Sequence, residues 1–320
     1  MTAPPEDGPT HAMASLLQRM ARAGARPMWE LGVAQARQLH ELGSGVLDVP
    51  PPPVAEVLDL DCPTRDGTRL PVRRYHAAPA SAHEPPPGLL YLHGGGFVLG
   101  SLDSHDVLCR QLAVHAGCTV FALDYRLAPE HPFPCAVDDA WDALTWLHAH
   151  GPMLGIDSER IAVAGDSAGG TLATTCAIHA RDIGVPLALQ LMFYPGTAGW
   201  ARTVSAQRYA KGFVLEREHI DWFFGLYLRE ASERDDWRFA PLRAPDLRGV
   251  APAWIGLAGC DILHDEGVAY AERLREAGVE VELHDWPGVT HDFIRMGRAI
   301  PQAGEAVRAA ARALRAALGL

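Results

Sequence analysis

Residues 161–171 read Ile161-Ala162-Val163-Ala164-Gly165-Asp166-Ser167-Ala168-Gly169-Gly170-Thr171. Four apolar residues form a short strand-like run, a helical run follows, and between the two stands Gly165-Asp166-Ser167-Ala168-Gly169, a G-x-S-x-G pentapeptide. A strand that turns sharply into a helix needs glycines at the corner. The serine then projects above the sheet, beside the unpaired N–H groups and positive dipole end of the helix. By composition alone the pentapeptide occurs in roughly one chain in ten, so a second signal is required.

That second signal lies upstream. The strand-like run Gly88 to Leu92 ends in His93-Gly94-Gly95-Gly96-Phe97, and three glycines at a strand tip let bare backbone amides approach a negative charge. The G-x-G-x-x-G spacing of a phosphate cradle, with a helix directly behind it, is missing. The pairing with the serine corner therefore predicts an oxyanion-binding loop. A serine hydroxyl needs a base to take its proton and a carboxylate to orient that base. Asp261 ends the run Trp254 to Cys260, and His291 follows the run Val281 to Trp286, which gives the order Ser167, Asp261, His291. His264 and His284 compete as the base, and Asp265 and Asp285 as the acid, from less favourable positions relative to the strand tips.

Further out, short apolar runs alternate with helical periods. Strands are expected at Gly88–Leu92, Thr119–Leu123, Ile161–Ala164, Leu187–Phe193, Ala253–Leu257 and Val279–Trp286, with helices such as Val137–Leu147, Val268–Ala277 and Ala303–Leu318. Strands buried on both faces and separated by helices specify a mostly parallel sheet covered on both sides. Val57–Leu60 and Leu70–Tyr75, with Asp66-Gly67 between them, predict an opening antiparallel hairpin. Residues 1–50 carry helical spacing and end at the proline run Pro50 to Pro53. Residues 197–245 break the rhythm with aromatics including Trp200, Tyr209, Phe213, Trp222, Phe223, Phe224, Tyr227, Trp237 and Phe239. These two segments are expected to form a helical cap, over a core made of residues 54–196 and 246–320.

Composition excludes several classes. The 320 residues carry 28 basic and 39 acidic side chains, a formal charge of −11, which opposes binding to nucleic acid. Lys211 is the only lysine, so neither a P-loop nor a Ser-x-x-Lys nucleophile is available. No run reaches the length of a membrane span, and Met1 to Pro9 lacks the basic-then-apolar pattern of a leader, so a cytoplasmic location is expected. Six scattered cysteines without a C-x-x-C pair read as reduced, buried thiols. His148-Ala149-His150 stands without further ligands at metal spacing, so no metal is expected.

His93-Gly94-Gly95-Gly96, Asp124-Tyr125-Arg126-Leu127-Ala128-Pro129-Glu130, Gly165 to Gly170 and the Asp261 and His291 segments occur in this order. Together they resemble the hormone-sensitive-lipase family of bacterial esterases (family IV), in its GDSAGG branch, from about Val54 to the C-terminus. The resemblance implies an α/β-hydrolase fold with a helical cap, no cofactor, hydrolysis of carboxylic esters with short to medium acyl chains, and a homodimer. It implies Ser167 as nucleophile, His291 as base then acid, Asp261 as its orienting carboxylate, and an oxyanion hole from the amides of Gly94, Gly95 and Ala168. His93 and Arg126 to Glu130 are expected to be structural. Two departures stand out: Asp261-Ile262-Leu263 where the family has Asp-Pro-Leu, and His291-Asp292-Phe293 where it has His-Gly-Phe. Asp292 either raises the pKa of His291 or alters its loop, or else points to solvent or pairs with an arginine, and aspartate is among the few non-glycine residues that tolerate positive φ. The same triad would also serve amide or formamide hydrolysis. A non-catalytic small-ligand receptor on this scaffold would be expected to lack a triad member.

Overall fold

The computed structural model describes residues 8–77, 85–200 and 202–320. Residues 1–7, most of the stretch read above as lacking a leader, lie outside it. In chain order the elements are α1 (His11–Ala23), α2 (Val33–Gly43), β1 (Glu56–Pro63), β2 (Arg69–His76), β3 (Pro87–Leu92), α3 (Asp106–Ala116), β4 (Thr119–Leu123), α4 (Cys135–Leu154), β5 (Asp157–Asp166) and α5 (Ala168–Ile183). Then follow β6 (Leu189–Phe193), α6 (Val204–Arg208), α7 (Arg217–Tyr227), β7 (Ala253–Cys260), α8 (His264–Glu276), β8 (Val281–Thr290) and α9 (Pro301–Ala317).

The strands form one eight-stranded sheet in the order β1-β2-β4-β3-β5-β6-β7-β8. β1, β2 and β4 pair antiparallel, and every other neighbouring pair is parallel. Side chains alternate along each strand between two apolar layers. Leu90, Leu92, Phe121, Val163, Met192 and Ile255 pack under α4, α5 and α8. Leu89, Tyr91, Val120, Ala162, Leu191 and Trp254 face the layer of α3 and α9, which Met13 and Leu16 of α1 join. β3, β4 and β6 are buried along their whole length, as strands covered on both faces must be.

Each expected strand is present, most with ends shifted by one to three residues, β6 starting at Leu189, β7 ending at Cys260 and β8 starting at Val281, and two with larger extensions. β5 begins at Asp157, because the polar residues Asp157 to Arg160 precede the apolar run that marks it in sequence. β8 continues through Pro287 and Gly288 to Thr290, because a register shift between Ala258 and Cys260 lets β7 keep pairing with it. The six cysteines are all unpaired; five are buried and Cys135 is partly so. No helix among the described residues is long and apolar enough to cross a membrane.

This topology places the carboxyl ends of β3, β5, β7 and β8 along one edge of the sheet. His93, Ser167, Asp261 and His291 each follow one of those ends. In open parallel sheets that edge is where ligands bind.

Candidate active site

Ser167 sits at φ 54° and ψ −121°, a strained conformation for a residue with a side chain, between β5 and α5. Its amide donates to Phe193 O at 2.9 Å, which locks the corner onto β6. The flanking glycines are required by close approach. A Cβ on Gly165 would strike the Gly169 carbonyl, and one on Gly169 would strike the Leu92 carbonyl. α5 therefore starts directly behind Ser167, and the amide of Ala168 is one of the unpaired donors of its first turn.

The structure brings the three sequence candidates together. His291 Nε2 lies 2.9 Å from Ser167 Oγ, and His291 Nδ1 lies 2.6 Å from Asp261 Oδ2. Asp261 is buried, and its other oxygen accepts from Leu263 N at 3.0 Å. An ionised carboxylate accepts only, so Nδ1 carries the proton and Nε2 is free to receive one from the serine. Burial of the His291 ring disfavours its charged form. The charge and hydrogen bond of Asp261 outweigh this, Asp292 adds to them, and the pKa of His291 is raised. The ring also packs 4.5 Å from that of Tyr194, itself held at φ 35°.

The competing residues are engaged elsewhere. His264 lies between Asp265 at 3.1 Å and Asp285 at 3.2 Å, which push its pKa up to about 9, and His284 pairs with Glu282 at 2.6 Å. His148 and His150 bond to the backbone oxygens of Ser158 and Trp146. No group of three metal-ligating side chains occurs among the described residues.

Gly94 departs from the expectation that its amide faces an oxyanion. That N–H donates to Asp166 Oδ1 at 3.0 Å, and a Cβ there would run into the same carboxylate. It anchors the glycine loop instead. The amides of Gly95 (φ 119°) and Gly96 (φ 62°) donate to no group among the described residues, and both glycines line the cleft beside Ser167.

The Asp166 anchor is a feature the sequence reading treated only as the variable position of the pentapeptide. Its buried carboxylate also accepts from Tyr91 Oη at 2.6 Å and lies 3.3 Å from His105 Nε2. Burial opposes its ionisation, but the charge and hydrogen bond of His105 and the Tyr91 hydroxyl hold its carboxyl well below the ordinary range. His93 bonds back to Gly94 O at 2.8 Å and stacks on Tyr125, whose hydroxyl donates to His93 O at 2.7 Å. Arg126 grips the buried Asp139, and Glu130 binds Arg37 of α2, which also donates to Val98 O and Ala128 O.

Asp292 occupies left-handed backbone at φ 64° and pairs with Arg295 through two bonds of 2.9 and 3.1 Å. Arg295 donates onward to Ser104 O at 3.0 Å.

Two cavities meet at Ser167. One is lined by Leu215, Ile220, Phe223, Phe224, Phe239 and Leu263, with the buried Glu266 at its wall. The other contains His291, Gly95 and Gly96, together with Met28, His40 and His219.

The chain is similar to known proteins in sequence and in fold. The sequence matches the family described as alpha/beta hydrolase fold over residues 89–295. It is 46% identical to an ethyl acetate hydrolase of Pseudomonas putida, covering 87% of this chain and 88% of that one. It is 42% identical to the carboxylesterase NlhH of Mycobacterium tuberculosis, covering 78% and 79% respectively. Among solved structures, LAE6, an alpha/beta hydrolase enzyme from the metagenome of Lake Arreo, superposes with a TM-score of 0.93. It is 37% identical and the match covers 98% of this chain and 99% of that one.

Proposed function

Because the chain belongs to the hormone-sensitive-lipase-like (family IV) esterases of α/β-hydrolase fold and is a carboxylic-ester hydrolase, we propose that Ser167, His291 and Asp261 carry out that hydrolysis through an acyl-enzyme. The observation that carries this reading is the unbroken line of bonds from Asp261 Oδ2 through the His291 ring to Ser167 Oγ. Ser167 Oγ attacks the ester carbonyl carbon as its proton passes to His291 Nε2, and Asp261 stabilises the imidazolium. The carbonyl oxygen becomes an oxyanion, received by the amides of Gly95, Gly96 and Ala168. Collapse of the tetrahedral species breaks the bond to the alcohol oxygen, which takes the proton from Nε2. Water, deprotonated by the same nitrogen, then releases the acid and restores Ser167.

Residues 1–50 and 197–245 act in this reading as the cap over the cleft. Met28 and His40 come from the first segment, and Leu215, His219 and Phe223 from the second. The acyl group is short to medium in length, in keeping with the small apolar cavity. The family resemblance adds a homodimeric assembly, and the unpaired cysteines fit a reducing, cytoplasmic compartment.

The deciding experiment is the Ser167→Ala variant, assayed on ethyl acetate and on longer ethyl esters. Loss of a triad member costs on the order of 10⁴ to 10⁶ in kcat, and a fluorophosphonate probe should label the unaltered protein at Ser167. A variant retaining a tenth of the activity, or labelling at another serine, refutes the assignment.

A further inference from the structure

The two halves of the cleft differ in chemistry. The reaction itself decides which part of the ester each half takes. The departing oxygen must receive its proton from His291 Nε2, so the alcohol leaves through the half that His291 lines. The acyl group, covalently held on Ser167, then occupies the apolar half under Phe223, Phe224 and Phe239.

The alcohol half sets polar side chains into its apolar wall. His219, from the first turn of α7, faces it, and its tautomer is fixed by the helix cap. Glu216 N–H donates to His219 Nδ1 at 3.1 Å, and a ring nitrogen that accepts a hydrogen bond carries no proton. The proton of the neutral ring is therefore on Nε2. Burial lowers the pKa of His219, which keeps the ring in that neutral form. Trp29 stands edge-on to it, ring centres 4.8 Å apart, and restrains its rotation. No described residue accepts a hydrogen bond from Nε2–H. A second imidazole, that of His40 on α2, lines the same half, and its Nε2 is buried without a partner. Burial, reinforced by the Arg295 charge, pushes its pKa down to about 4, so it too is neutral. Buried polar atoms are ordinarily paired, so the unpaired His40 Nε2, beside the half-buried His219 Nε2–H that no described residue accepts from, marks the place of a polar ligand group.

We propose that the alcohol half of the cleft selects esters whose alcohol carries a hydrogen-bond-accepting oxygen of its own, an ether, carbonyl or hydroxyl, with His219 Nε2–H as its donor and His40 as a second polar contact. This rests on the ester-hydrolase reading above and specifies the leaving-group side of the same site. His219 is in this view a specificity-determining residue that takes no part in the proton transfers.

The test compares the acetates of 2-methoxyethanol and butan-1-ol, which share an acyl group and differ in one ether oxygen for a methylene. The readout is the ratio of their kcat/KM values, divided by the ratio of their alkaline hydrolysis rates to remove the difference in leaving-group acidity. One neutral hydrogen bond is worth about five- to tenfold, and the corrected ratio in the unaltered protein should favour the ether ester by that factor. In His219→Glu, which keeps an acceptor for Glu216 N–H but offers no proton at neutral pH, the ratio should fall to near one. His219→Leu, which removes both functions, should do the same, and His219→Gln, which keeps an N–H, should retain part of the preference. A corrected ratio near one in the unaltered protein, or one that all three variants leave unchanged, overturns the proposal. Hydrolysis of both esters that survives Ser167→Ala would instead overturn the underlying mechanism, and this inference with it.

Discussion

Asp292 shows at the scale of one residue how a departure from a family pattern is absorbed. A left-handed backbone position next to His291 favours glycine, and aspartate is among the few other residues that tolerate it. Its carboxylate raises the pKa of His291 and at the same time pairs with Arg295. Replacing Asp292 with Asn keeps the backbone tolerance, removes the negative charge and leaves the Arg295 cation beside the ring. Both changes disfavour imidazolium, so the acid limb of kcat/KM against pH should move to lower pH in Asp292→Asn. A limb that stays put, or moves upward, would leave Asp292 with a backbone role alone. The triad was legible in sequence because each member follows a strand tip and the chain order is constrained. The amides proposed for the oxyanion were only partly so: which of the three consecutive glycines keeps a free amide depends on the Asp166 carboxylate across the site, a contact that no local pattern records. His105 was missed for the same reason, since it acts through Asp166, distant in sequence.

α7 illustrates the scale of the element. Its buried residues Ile220, Phe223 and Tyr227 recur at spacings of three and four, so one face of the helix lies over the site while Glu218 and Asp221 point outward. Tyr227 stacks on Phe97 of the glycine loop at 4.1 Å, and the Phe223 ring fills the space where Gly96 lacks a side chain. Phe223 lines both halves of the cleft and acts as the partition between them. Phe223→Ala should let longer acyl chains run past that partition. Across ethyl esters from acetate to octanoate, the chain length giving the highest kcat/KM should increase, at a stability cost of about 3 kcal/mol. An unchanged optimum would remove Phe223 from the acyl wall. The aromatic content of 197–245 signalled a packed insertion, and apolar runs located the parallel strands to within a few residues. α3 went unnamed although Leu108, Leu112 and Ala116 give its buried stripe, because short apolar spacing beside a glycine-rich loop carries less signal than a long periodic run.

For the whole molecule, buried titratable groups far apart in the chain set the pH range over which the fold is stable. His93 and His40 are neutral in the fold, pushed down by burial to about 3 and about 4 from an ordinary 6.5. The unfolded chain takes up their protons first, so their contribution is present above about pH 6.5 and is lost as pH falls from there. Glu266 works in the opposite direction. It is fully buried, and burial, reinforced by the Asp261 charge, raises its pKa from an ordinary 4.5 to about 8, although the amides of Thr197 and Ala198 bond to it at 2.6 and 3.1 Å. Between those two values the folded protein keeps a proton that the unfolded chain has released. Its contribution is therefore complete below about pH 4.5 and declines as pH rises through about 8. His264, raised to about 9, declines over an overlapping range, but it is partly exposed and screened by solvent. The melting temperature should thus fall between about pH 6.5 and 8. Glu266→Gln retains a carbonyl to accept from Thr197 and Ala198 and has no proton to lose, so it should melt with a shallower slope across that window. The two curves should diverge by on the order of 3 °C at pH 8 relative to pH 6.5. Thermal unfolding followed by circular dichroism at fixed ionic strength decides the matter. Parallel curves for the two proteins would mean that Glu266 ionises inside the fold as readily as outside it, and the alkaline limit of stability would then rest on His264 and His291.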